Sequence, residues 1–264
     1  MGAEGQHAPE YRRRPKPAPV TPPSPSVNDC SFNATFGGAA GSAPDPAQWG
    51  YNLGGGGWGN NEKETYTDSA QNARVDGDGN LAITVTRNGS GYDSARLVTS
   101  DTFVQMYGYF EASIWLSPVE GLWPAFWLLG VNSQSWPACG ELDIMENYGS
   151  SLVSCTINNG TVGWTPALEA DTQNDGNWHT YACLWKPGSV SMFKDGALLQ
   201  TQTPATIDGD WPYDSAQAMG GGLYFILNVA VGGTGTNNVT PPASALPAAP
   251  MSVGYVRAWP LSSV

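Results

Sequence analysis

At 264 residues the chain is long enough for one large all-β domain or two small ones. Only 13% of its residues are charged, yet they sum to −12, which argues against nucleic acid or an anionic membrane surface and favours a neutral partner. Its 33 glycines, 21 prolines and 11 tryptophans suit many strands joined by tight turns, and no apolar run is long enough to span a bilayer as a helix.

Residues 1–27 are proline-dense, with a small basic cluster at 12–14, and read as a disordered leader that has little apolar surface to bury. Met1-Gly-Ala3 reads as an added start on an already processed chain, and the expected setting is secreted. Residues 28–264 then form one folded domain. Stretches 81–86, 109–115, 152–157, 179–185, 190–194, 223–231 and 253–259 have strand composition, and Lys194-Asp-Gly-Ala197 is a hairpin turn signal. No helical periodicity and no internal repeat appear, so one antiparallel two-sheet sandwich is expected. Cys30, Cys139, Cys155 and Cys183 have no metal-ligand spacing. Cys155–Cys183 is the favoured disulfide among the possible pairings, with buried thiols as the alternative.

The densest chemistry lies in Gly140-Glu-Leu-Asp-Ile-Met-Glu-Asn-Tyr-Gly149, where three carboxylates interrupt an apolar, strand-like run. In a regular strand Glu141 and Asp143 share a face while Glu146 points away. A one-residue β-bulge between Asp143 and Glu146 turns all three into one groove. Read as a helix, Glu141 and Glu146 stand roughly 140° apart. A solvated strand face whose acids guard an edge is the bland alternative.

Other chemistries find few residues. His7 lies in the leader, which leaves His179 alone in the folded part, inside a strand and read as a packing residue. A histidine-built metal site, a Ser-His-Asp triad and the glycine-rich nucleotide loops therefore lack support. Paired acids in an acidic, tryptophan-rich all-β chain point to glycoside cleavage. Trp136, five residues before Glu141 in a proline-containing loop, is placed to overhang the groove as a flat sugar platform.

Glu141-Leu-Asp-Ile-Met-Glu146 resembles the E-x-D-x-x-E signature of glycoside hydrolase family 16, in the bulged form of its laminarinases. Gly56-Gly-Trp-Gly-Asn-Asn-Glu62, Ser94-Ala-Arg-Leu97, Gly121-Leu-Trp-Pro-Ala-Phe-Trp-Leu-Leu-Gly130, Trp178-His-Thr-Tyr181 and Leu227-Asn-Val-Ala-Val-Gly-Gly233 are similar to successive laminarinase blocks, in order. The resemblance implies a concanavalin A-like β-jelly roll of two curved antiparallel sheets with a concave substrate cleft. It implies a retaining endo-1,3-β-glucanase with Glu141 as nucleophile, Glu146 as general acid/base and Asp143 orienting the nucleophile. It further implies sugar contacts from Trp136, Trp123, Trp127, Asn61, Glu62, Arg96 and Asn228. The expected partner is a β-glucan, with no cofactor and a monomeric chain. Mixed-linkage β-1,3-1,4-glucanase and a non-hydrolytic β-glucan-binding protein remain as alternatives.

Two stretches depart from the family pattern. A histidine-bearing segment common after the catalytic strand reads Val153-Ser-Cys-Thr-Ile-Asn-Asn-Gly160 here. The acids that hold structural calcium in some members are replaced by Asn33-Ala-Thr-Phe36 and Gly254-Tyr-Val-Arg257, so no bound calcium is expected.

Overall fold

The structure is a computed structural model that describes residues 21–116, 119–131, 135–149, 153–161, 175–214, 221–247 and 251–264. Most of the expected leader, its basic cluster and Trp164 lie outside the described residues. The chain is built from strands: β1 (Phe32–Thr35), β2 (Gly50–Tyr51), β3 (Glu64–Tyr66), β4 (Ala73–Val75), β5 (Leu81–Ile83) and β6 (Thr86–Asn88) come first. There follow β7 (Gly91–Ser94), β8 (Arg96–Val98), β9 (Gly108–Trp115), β10 (Leu122–Gly130), β11 (Glu141–Asn147) and β12 (Val153–Ile157). The last are β13 (Trp178–Lys186), β14 (Ser189–Lys194), β15 (Ala197–Gln202), β16 (Leu223–Val231) and β17 (Met251–Trp259).

These strands form two large sheets and a small one. One runs β15-β14-β13-β9-β17-β5-β4, with β1 also paired to β17; the other runs β12-β11-β10-β16-β8-β2. A three-stranded sheet, β3-β7-β6, contains the parallel pair β3–β7. The remaining ladders among the described strands are antiparallel.

Alternation explains the sandwich. Along β16, Leu223, Phe225, Leu227, Val229 and Val231 turn into the core, and across from them β9 supplies Phe110, Ala112 and Ile114. Phe225 is the hub: Phe32, Phe103, Phe110 and Phe126 ring it at centroid distances of 5.4, 5.7, 5.8 and 5.8 Å. Burying one such ring contributes about 1.5–3 kcal/mol, and this cluster joins the two sheets. The opposite face of β16, carrying Asn228 and Ala230, is thereby free to line a cleft.

Several expectations change. The 81–86 stretch breaks after Ile83, and its second half joins the small sheet as β6, so one apolar run serves two sheets. The folded part starts slightly before residue 28: Val27–Asp29 forms a 3₁₀ turn and the Ser26 carbonyl accepts the Trp259 indole N–H at 2.7 Å. At the predicted hairpin, Asp195 and Gly196 take left-handed conformations (φ 48° and 76°) and close Lys194 onto Ala197. The Cys155–Cys183 disulfide does not form; all four cysteines are thiols. Cys155 and Cys183 lie in the core, where burial drives both thiols above their ordinary pKa and favours the neutral form.

Candidate active site

The bulge expected from the acid spacing is present. On β10, Ala125 faces Glu146, Phe126 faces Met145 and Trp127 faces Asp143, which leaves Ile144 without an opposite residue. Ile144 and Met145 both turn into the core, at 1% and 0% exposure. Glu141, Asp143 and Glu146 consequently oppose Leu129, Trp127 and Ala125, three positions on one face of β10. All six residues line a single cleft of about 540 Å³ on the outer face of the six-stranded sheet.

Each carboxylate has its own support. Glu146 accepts the Trp123 indole N–H at 3.0 Å and the Tyr148 hydroxyl at 2.8 Å. The Trp123 and Tyr148 rings pack at 5.1 Å. They are covered by the loop at Gly235, where an added Cβ would stand 2.7 Å from the Tyr148 ring and 2.8 Å from Trp123. Glu141 and Asp143 share one donor: the Asn158 amide nitrogen lies 2.9 Å from Glu141 Oε1 and 2.8 Å from Asp143 Oδ2. Asn158 is fixed in turn, its backbone N–H donating to the Glu141 carbonyl at 3.1 Å. The buried Tyr213 hydroxyl bridges the carbonyls of Glu141 and Asn158, at 2.5 Å from each.

Burial and mutual repulsion make it costly for three carboxylates in one partly apolar cleft to be charged at once, and their titrations are linked. Burial pushes Glu141 up to about 8, helped by the Glu146 charge and opposed by Arg96 and the Trp136 indole. Burial and its two acidic neighbours hold Asp143 well above the usual carboxylate range, against the Asn158 hydrogen bond. Burial also raises Glu146, while Tyr148, Trp123 and Thr156 pull it back. A proton on Asp143 removes a like charge from beside Glu141, and Arg96 favours the anion there.

The other arm of the cleft is amphipathic. The Arg96 guanidinium is stacked between Trp58 and Trp127, 4.7 and 4.8 Å from the ring centroids, and its Nε has no hydrogen-bond partner. Trp127 donates to Asn228 Oδ1 at 2.8 Å, and Asn228 donates to the Tyr66 hydroxyl at 3.0 Å. Glu62 accepts from Asn60 at 3.1 Å and from Tyr66 at 3.4 Å. Trp136, 50% exposed, stands over the cleft near Glu141.

Trp136, Trp123, Trp127, Glu62, Arg96 and Asn228 thus share one cavity with the three acids. Asn61 differs: it is exposed, takes a left-handed conformation (φ 65°) and is not among the lining residues. The turn that returns Glu62 N to Gly57 O rotates Asn60 into the cleft in its place. Trp58, Asn60, Tyr148, Thr156 and Asn158 line the site without having been singled out for it. Same-face alternation carried a signal for one of them, Tyr148, two residues beyond Glu146. His179 lies on β13, outside the cleft, between Asp195 (2.6 Å) and Asp175 (2.9 Å). Among the described residues no group of three or more His, Cys, Asp or Glu is arranged to hold a metal ion, and Arg257 donates to Asn33 at 3.0 Å.

Comparison with known proteins agrees with this geometry. The pattern of "Glycosyl hydrolases family 16" matches residues 60–225. The chain is 36% identical over 243 residues to a beta-glucanase of Rhodothermus marinus, covering 82% of this chain and 80% of that protein. It is 31% identical over 245 residues to glucan endo-1,3-beta-glucosidase A1 of Niallia circulans, covering 81% of this chain but only 33% of that longer protein. The crystal structure of endo-1,3-beta-glucanase from Streptomyces sioyaensis superposes with a TM-score of 0.75 at 33% identity, over 90% of this chain and 98% of that one. With this fold, this pattern and these relatives, the chain belongs to glycosyl hydrolases family 16 and is a β-jelly-roll glycoside hydrolase.

Proposed function

We propose that the protein is an endo-acting hydrolase of β-1,3-glucan that works by double displacement. The observation that carries this reading is the bulged β11, which presents Glu141, Asp143 and Glu146 on one face of a tryptophan-lined cleft. Glu141 is the nucleophile and attacks the anomeric carbon as Glu146 protonates the glycosidic oxygen. Glu146, then an anion held by Trp123 and Tyr148, takes a proton from water, and the resulting hydroxide equivalent releases the sugar from Glu141. Asp143 orients Glu141, and a proton on Asp143 removes a like charge and so favours the ionised fraction of Glu141 beside Arg96, the form that attacks.

Binding follows from the walls. Trp136 offers an apolar face to a pyranose ring, and Trp123 and Trp127 border the same groove. Glu62, Asn60, Arg96 and Asn228 meet the sugar hydroxyls. An open cleft takes a polymer internally, consistent with endo cleavage. We place the enzyme outside the cell, where polymeric glucan is found, as a monomer that needs no cofactor.

Reducing-sugar release from laminarin, barley mixed-linkage glucan and cellulose tests the reading. Fast cleavage of laminarin is expected, with the β-configured end released first. Faster cleavage of the barley glucan would reassign the linkage. Binding of laminarin without release would make the protein a glucan binder instead.

A further inference from the structure

Two carboxylates outside the catalytic set face each other behind the binding arm. Glu64, on β3, is 2% exposed, and its Oε2 accepts the Val231 backbone N–H at 2.7 Å. Its Oε1 is buried without a hydrogen-bond partner, and the carboxyl neighbours that of Glu62. As an anion Glu64 would leave that buried oxygen unpartnered, beside a second carboxyl. As a neutral acid its O–H has one obvious acceptor, the Glu62 carboxylate. Glu62 would then be held by three donors: Asn60 from its own turn, the Tyr66 hydroxyl from β3, and Glu64.

The surroundings favour that proton. Tyr92 on β7 stands opposite Glu64, and β16 contributes the Val231 amide and Asn228, whose amide bonds Tyr66. Tyr66 is fully buried and its phenol is held neutral, far above its ordinary range. Arg96 is the nearby cation, and it is stacked between Trp58 and Trp127 rather than paired with Glu64. Lys63, between the two acids, is exposed. Burial first, and then Glu62, raise Glu64 to about 8.

We propose that Glu64 is a positioning residue of the substrate cleft, a buried neutral acid whose O–H fixes the Glu62 carboxylate toward the sugar hydroxyls. The nature of the ligand rests on the β-glucan reading above; the carboxyl pair does not. Loss of the Glu64 proton sets two anions against each other in a buried site and displaces Glu62. Affinity then falls while chemistry at Glu141 and Glu146, on a different strand, is untouched by this step.

The test is laminarihexaose affinity from pH 6 to 9.5, read by tryptophan fluorescence in the Glu141→Gln background so that the ligand survives. Glu64→Gln and Glu64→Leu are compared with the parent, and each variant's fold is checked by thermal melting. The parent Kd should rise above about pH 8, approaching tenfold per pH unit. Glu64→Gln keeps an N–H for Glu62 and a carbonyl for Val231 but cannot ionise, so its Kd should stay flat. Glu64→Leu, which has no donor, should bind about tenfold or more weakly at every pH. In the catalytically active background the alkaline rise should appear in KM and be absent from the KM of Glu64→Gln. Parallel pH courses for parent and Glu64→Gln would overturn the proposal, as would a folded Glu64→Leu that binds like the parent. If Glu64→Leu does not fold, the parent–Gln comparison decides alone. Absence of glucan hydrolysis with the expected Kd course would sink the hydrolase reading and leave Glu64 standing.

Discussion

Replacing Glu141 with glutamine should stabilise the protein while abolishing its activity. The side chain keeps its shape but loses the charge that burial and Glu146 oppose. Burial, with the Glu146 charge, pushes Glu141 up to about 8 in the folded chain from an ordinary value of 4.5. A carboxyl whose folded pKa is raised takes up a proton on folding when the pH lies between its unfolded and folded values. The penalty is absent below about pH 4.5, grows as the pH rises, and levels off above about 8. At pH 7 the gap from 4.5 is two and a half units, which at about 1.36 kcal/mol each makes roughly 3 kcal/mol. Glutamine does not titrate, so it escapes that penalty, a figure from which the Arg96 attraction is already subtracted. For a domain of this size 1 kcal/mol moves the melting temperature by roughly 2–4 °C. The variant should therefore melt several degrees, at most on the order of 10 °C, above the wild type at pH 7. The two should converge near pH 4. Melting curves from pH 4 to 8 by scanning fluorimetry give the answer. A variant that melts at or below the wild type at pH 7, or a gap that does not shrink in acid, would refute the electrostatic reasoning.

Other substitutions probe the supports separately. Tyr148→Phe removes a donor that favours the Glu146 anion, so the alkaline limb of the pH profile of kcat/KM should move to higher pH. Asn158→Ala strips the shared donor from Glu141 and Asp143; kcat/KM should fall about ten- to a hundredfold, the equivalent of one or two charge-assisted hydrogen bonds. Phe225→Ala empties the hub of the aromatic cluster and should cost about 3–5 kcal/mol in denaturant unfolding. Its surviving folded fraction should keep a wild-type pH profile, since the ring faces away from the cleft.

The parts of the site that a strand period can encode were legible in the chain. Three acids at 141, 143 and 146 cannot share a face without a bulge, and Ile144 and Met145 supply it by both turning inward. The run 223–231 gave its strand by plain alternation of core residues with Asn228 and Ala230. What escaped depends on geometry with no local signature. Positive φ at Trp58 and Asn61 (44° and 65°) decides that Asn60, not Asn61, enters the cleft. Tyr213 reaches the Glu141 carbonyl across 72 residues of sequence, and Glu64 meets Val231 across 167. The break after Ile83 falls where its partner β17 begins, at Met251, far along the chain. Two cysteines in the core did not make a disulfide, because a buried thiol packs as a small apolar side chain and needs no partner to be stable there.

Covalent trapping tests the central claim most directly. A laminari-oligosaccharide carrying fluorine at C2 and as the leaving group slows release of the glycosyl-enzyme, so the intermediate accumulates and can be located by peptide mass mapping. The label is expected on Glu141, with none in the Glu141→Gln variant and with β-configured product from the unmodified substrate. A label on Glu146 or elsewhere, or an inverted product with no label at all, would contradict the assignment of Glu141 as nucleophile.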